Sequence, residues 1–118
     1  MMNKYGAKKI KDPATGYVFD SKKEFHRWCE LRLLERAGKI TDLKRQVKYV
    51  LIPSQVDQAG KVIERAVIYI ADFTYYDYAL REKVVEDVKG YKRGAAYQLF
   101  SIKRKCMLWF HGIKVKEI

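Results

Sequence analysis

Asp87 and Lys89 stand two residues apart at the end of the apolar run Lys83-Val84-Val85-Glu86. On a β-strand that spacing puts a carboxylate and an ammonium on one face, where both can reach one scissile phosphate. A second carboxylate, Asp72, lies in another β-rich run, Ile70-Ala71-Asp72-Phe73. Paired residues of an antiparallel hairpin have numbers of constant sum, and Asp72 and Asp87 are symmetric about the point between Ala79 and Leu80. That point falls in Asp77-Tyr78-Ala79-Leu80-Arg81, a break between an aromatic, β-branched stretch and the valine run, so a simple hairpin sets the two acids opposite each other. No Asn-Gly or Asp-Gly dipeptide fixes a two-residue turn, so the register rests on this symmetry alone. Carboxylates about 5 Å apart repel unless neutralised. A divalent cation would neutralise them, and an oxygen-rich site suits Mg2+, with Mn2+ as a substitute. The chemistry this points to is metal-dependent phosphodiester cleavage.

Acid-x-Lys is by itself a weak signal, because Asp20-Ser21-Lys22 and Asp42-Leu43-Lys44 match it equally well. Context separates them: the first is expected at a helix start and the second after a helix end, whereas the third sits on an expected strand beside an acid-bearing neighbour. The bland reading of Asp87 with Lys89 is a strand-end ion pair.

Twenty-five basic against fourteen acidic side chains leave 118 residues with a net charge of +11. The expected partner is a polyanion, and nucleic acid is favoured over a membrane surface because no basic amphipathic stretch stands apart from the rest. Length and 48% hydrophobic content fit one domain with one core, residues 1–118. Cys29 and Cys106 are isolated within expected helices and read as two buried thiols rather than a zinc site. His26 and His111 lack a serine or cysteine partner at a recognisable spacing, which gives triad chemistry no support. No apolar stretch of spanning length or signal-peptide pattern is present, so a soluble, cytoplasmic protein is expected.

The elements that must position the acids follow from local patterns. Residues 1–16 read as a loosely ordered basic arm ending in the turn Asp12-Pro13-Ala14-Thr15-Gly16, with a short strand at Tyr17-Val18-Phe19. Ser21 as cap, Glu24 three residues on and Gly38 past the end predict a helix over residues 22–37. Strands are expected over 46–53, over a long run from 61 to 78, and over 82–89, with 55–60 as a connection. A second helix, 95–110, would turn Leu99, Ile102, Cys106 and Phe110 to the core, and a last strand covers 113–118. The order is helix, three strands, helix, strand: an α/β fold with a mixed central sheet flanked by helices.

That order, with Glu24 on the first helix, Asp72 on the second strand and Asp87-Val88-Lys89 on the third, resembles the PD-(D/E)xK nuclease superfamily and its restriction-endonuclease-like αβββαβ core. More narrowly, Phe19-Asp20-Ser21-Lys22-Lys23-Glu24, Tyr69-Ile70-Ala71-Asp72-Phe73 and Val85-Glu86-Asp87-Val88-Lys89-Gly90 resemble a family of small phage and prophage proteins. That family is itself similar to phage endonuclease I, a Holliday junction resolvase. The likeness spans nearly the whole chain. Ala71 stands where the superfamily's name has proline.

The resemblance implies a magnesium-dependent DNA endonuclease acting on branched DNA in phage recombination or genome processing, inside the bacterial cell. Glu24, Asp72 and Asp87 would hold the metal together with the Val88 carbonyl, and Lys89 would orient the attacking water. A phosphodiester repels hydroxide, which is why such a site needs cationic charge at the non-bridging and leaving oxygens. Symmetric cutting of two strands implies a homodimer. Lys22, Lys23 and Arg27 around Glu24, and Lys92 and Arg93 after the catalytic strand, are the candidate DNA-binding residues. Glu24 has a rival role as the return half of a capping box, although on a helical wheel it aligns with Trp28 and Leu31, facing the sheet. Glu86 should point to the face opposite Asp87. A non-catalytic basic DNA-binding protein on the same fold is the alternative.

Overall fold

The computed structural model describes residues 9–118. Two short strands, β1 (Ile10–Lys11) and β2 (Val18–Phe19), pair antiparallel and lead into the helix α1 (Lys22–Arg36). The Asp12 carboxylate holds the turn between them, accepting from Ala14 N–H (3.1 Å), Thr15 Oγ1 (2.8 Å) and Trp28 Nε1 (3.2 Å). Residues 10–16 are therefore fixed against α1, contrary to the expectation of a loose arm; the rest of that arm up to residue 8 lies outside the described residues.

α1 begins where the sequence predicts, with Ser21 Oγ accepting the N–H of Glu24 at 3.1 Å. It ends at Gly38, whose φ of +74° is open to glycine at no cost and lets Lys39 N–H close on Leu34 O. Glu24, Trp28 and Leu31 are its buried stripe. β3 (Ile40–Ile52) follows at once and is six residues longer at its start than expected. Asp42, with φ +58°, sits at an irregularity in it, and the exposed Asp42–Lys44 pair (3.6 Å) is thus also on a strand. What distinguishes Asp87 is burial and an acid opposite it, not the strand as such.

The expected single run from 61 to 78 divides. β5 (Val62–Glu64) pairs with β4 (Gln55–Val56) in a separate exposed ribbon, and β6 (Val67–Asp77) enters the main sheet. β7 (Glu82–Asp87) returns from β6 through Tyr78–Arg81. Asp77 Oδ1 accepts the N–H groups of Ala79 and Leu80, and Arg81 takes a left-handed φ of +56°, so this turn closes without an Asn-Gly. The helix α2 (Ala95–His111) crosses over to β8 (Lys116–Glu117), which runs parallel to β7. The main sheet is mixed, in the order β3-β6-β7-β8, and the fold is α/β with two helices. No described helix is long and apolar enough to cross a membrane.

Two core clusters sit on this sheet. Phe19, Trp28, Leu31, Ile40, Phe73, Tyr75 and Val84 pack with α1, whereas Leu51, Tyr69, Ala71, Val85, Phe100, Met107 and Val115 pack with α2. Along β6 the changeover falls at Asp72, across from which Gln46 has a left-handed φ of +55°. α2 is rotated relative to the expected stripe. Phe100 and Met107 are buried, while Leu99, Ile102 and Phe110 are more than half exposed. The helix has more apolar residues than its buried face can hold, and the aromatic at 100 with the flexible Met107 fills the space against Tyr69 and Val115. Cys29 is exposed and Cys106 only partly buried, so the pair of buried thiols is not observed.

Candidate active site

The β6–β7 register pairs Phe73 with Glu86 and Thr74 with Val85, the same constant sum that places Asp72 across from Asp87. Both acids lie at the end of the hairpin away from its turn, where the strands lose regular pairing. Asp72 Oδ2 accepts the Val88 N–H at 2.8 Å, so the side chain takes the place of a strand carbonyl. Asp87 is 5% exposed. Its Oδ2 accepts from the Tyr69 hydroxyl at 2.6 Å, and Lys89 Nζ stands 3.0 Å from its Oδ1. The expected shared face of Asp87 and Lys89 is thus present, with the ammonium also 3.9 Å from the centre of the Phe100 ring.

Glu24 is buried beneath α1. Among the described residues no cap N–H receives its carboxylate, so only the serine half of the capping box forms. Burial raises its pKa, and Asp20 and Asp87 raise it further. Asp72 is pushed up to about 8, first by burial and then by the Asp87 carboxylate, with Glu24 adding to the effect; the Val88 N–H opposes it. Three acids thus sense one another across the end of a hairpin and a helix. Among the described residues no three His, Cys, Asp or Glu side chains already converge as a formed metal-ligand set. Two facing carboxylates, Asp87 buried and Asp72 half-buried, are nevertheless hard oxygen donors that suit a hard cation, with Glu24 acting on both electrostatically and Lys89 paired to Asp87.

The other expected site residues are distributed unevenly. Lys23 is exposed, and its Nζ donates to Lys89 O at 2.7 Å, tying α1 to the end of the acid-bearing strand. Lys22, Lys92 and Arg93 are exposed. Arg27 is not a free cation: its Nε and Nη2 grip the two oxygens of Glu86 at 2.6 and 3.0 Å, and it is withdrawn under the sheet. Glu86, fully buried, also accepts from Tyr75 OH at 2.8 Å. Its orientation away from Asp87 is as alternation requires, and a buried carboxylate needs just such a bidentate partner. Arg27 is therefore engaged by an internal carboxylate, unlike the exposed Lys22, Lys92 and Arg93. The Val88 group shown reaching an acid is its N–H rather than its carbonyl.

Over residues 2–116 the chain matches the family described as protein of unknown function (DUF1064). It belongs to that family. No curated protein and no solved structure matches it. In this DUF1064 chain, sequence reasoning passed over two residues of the site. Tyr69 orients Asp87, and its own pKa is raised by burial and by that carboxylate. Gln46 places Nε2 3.5 Å from Asp72 Oδ1. Tyr69 lies three residues before Asp72 on β6, yet strand alternation would send it to the other face, and only the changeover at Asp72 brings it round.

Proposed function

We propose that this protein is a metal-dependent endonuclease that hydrolyses phosphodiester bonds in DNA, selective for branched structures. The observation that carries the reading is the Asp72–Asp87 pair, Asp87 buried and Asp72 half-buried, facing across one hairpin end with Lys89 on Asp87. A purely structural hairpin gains nothing from setting Asp72 against the Asp87 carboxylate, which together with burial drives Asp72 toward its protonated form. The order of helix, three antiparallel sheet strands, helix and parallel strand supports a restriction-endonuclease-like core.

Asp72 and Asp87 would hold Mg2+ or Mn2+, with Glu24 as the third acid. When bound, such an ion neutralises phosphate charge and lowers the pKa of water. The chain's own groups supply the rest. Tyr69 and the Val88 N–H fix one oxygen of each aspartate, so the remaining oxygens are oriented before any ligand arrives. Lys89, 23% exposed in its side chain, puts an ammonium between the acids and solvent, where it can orient a water and attract a phosphate oxygen. Lys22, Lys23, Lys92 and Arg93 are exposed cations for flanking phosphates. Symmetric cutting of a junction requires two copies, so the acting form in this reading is a homodimer, to be checked by sedimentation.

The test is cleavage of a labelled four-way junction and its matching linear duplex with magnesium, manganese or EDTA, for wild type and Asp87→Asn. Cutting that needs metal and disappears in the variant supports the nuclease, and the junction-to-duplex ratio sets structure selectivity. Tight binding of both DNAs without cutting in any metal would replace it with a non-catalytic DNA-binding module. The existing Tyr69 and Lys89 partners of Asp87, which already satisfy it without metal, are the observation favouring that second reading.

A further inference from the structure

A cleft of about 360 Å³ opens between the C-terminal half of α2 and the strand β8, lined by Arg104, Lys105, Leu108, Lys114, Val115 and Glu117. None of these belongs to the carboxylate site, but β8 is the next strand over, with Glu117 in register with Asp87. The volume lies within the range of small-ligand sites. Its walls are of two kinds: Leu108 and Val115 are apolar, and three cations stand around them.

The one acid in the lining is already occupied. Glu117 accepts from Tyr97 OH at 2.7 Å and pairs with Arg104 Nη1 at 3.1 Å. Among the described residues neither Lys105 nor Lys114 forms an ion pair. Lys105 and Lys114, both exposed, therefore line the cleft without an acid partner, beside the aliphatic Leu108 and Val115 and the paired Arg104 and Glu117. Trp109 is 83% exposed and stands one helical turn beyond Lys105 on the same side of α2. A ligand that matches all of this carries an anion and a flat, weakly polar group within a few ångströms of each other.

We propose that this cleft seats one unpaired nucleotide of a nucleic-acid strand, its phosphate at Lys105 and Lys114 and its base against Leu108 and Val115. The inference rests on the nucleic-acid reading above and adds a substrate class to it. A base stacked inside a duplex cannot lie on Leu108, so single-stranded or junction DNA is preferred over a continuous duplex.

The experiment uses the full chain in EDTA, so that binding is read without cutting. Titration of a fluorescent oligothymidine of about 15 nucleotides, within the usual span of single-strand sites, is compared for wild type, Lys105→Ala with Lys114→Ala, and Leu108→Ala. A charge-matched control carries Lys44→Ala with Lys61→Ala on β3 and beside the β4–β5 ribbon. The cleft pair should weaken binding about tenfold and lower the log–log salt slope by about 0.7 for each phosphate that is no longer neutralised. Leu108→Ala should weaken the single strand but not a duplex, quenching of Trp109 should accompany wild-type binding, and the control should change affinity by less than about twofold. Cleft variants that bind like wild type, or no better distinguished than the control, would overturn the site. So would complete displacement of the oligonucleotide by millimolar inorganic phosphate at matched ionic strength, which would make it a small-anion site. Cleavage is scored apart: loss of binding in the cleft pair with no cutting by wild type would keep the cleft and remove the nuclease.

Discussion

Asp72 keeps its proton at neutral pH in the metal-free protein, because burial and the facing Asp87 carboxylate hold its pKa near 8 rather than at an ordinary aspartate value. The folded chain therefore binds a proton that the unfolded chain has released. Its stabilising share is complete below about pH 4 and is lost as pH rises through about 8. The melting temperature of the metal-free protein should fall between about pH 5 and pH 8, and Asp72→Asn should flatten that slope. A cation held by the pair would act in the opposite direction: magnesium should raise the melting temperature more at about pH 8 than at about pH 6, read by calorimetry with and without EDTA. Arg27 is a different case. Truncation to Ala would strand the fully buried Glu86 and should cost about 3–5 kcal/mol in a urea titration. In the sequence, Asp72 and Asp87 were legible because hairpin symmetry couples their numbers. Arg27 was not, since a cation three residues past Glu24 looks the same whether it meets a phosphate or an internal carboxylate.

At the scale of elements, local signals were informative wherever a single residue decides an end. Ser21 starts α1 and glycines stop both helices: Gly112, like Gly38, is left-handed, with φ +67°. Patterns that depend on what packs opposite were not legible. α2 carries apolar residues around most of its circumference, so periodicity alone could not choose the face that meets Tyr69 and Val115. Met107→Ala should consequently cost about 2–5 kcal/mol. Ile102→Ala, at a position 59% exposed, should stay within about 0.5 kcal/mol. Urea midpoints for the two variants check this, and a reversal would restore the Leu99–Ile102–Cys106–Phe110 stripe. β3 was underestimated because its first residues, Ile40 to Arg45, are charged and interrupted by the left-handed Asp42. They hold as strand because β6 offers a long partner: Arg45 pairs with Phe73, and its guanidinium lies 4.6 Å from the Phe19 ring.

For the molecule as a whole, charge and topology answer separate questions. The excess of +11 concerns partners and says nothing of the fold. The fold, in turn, brings the acids together through one hairpin and then braces them from both sides. Lys23 reaches Lys89 O from α1, and Ile118, just past β8, bonds the backbone of Asp87 and Lys89. The general order of elements was readable because each has its own period. The small β4–β5 ribbon was hidden inside a run that looked continuous.

The turn at Tyr78–Arg81 is short, so the meeting of Asp72 and Asp87 needs little chain closure. Such hairpins form in about 1–10 μs. Pairing of β7 with β8, by contrast, waits for the whole α2 crossover. The mutual repulsion of the two carboxylates is then met early, on the ascent to the folding barrier, rather than after it. In stopped-flow refolding at about pH 8, Asp72→Asn should speed folding more than it slows unfolding, so that the chemistry of the site is written into how fast the chain finds its shape.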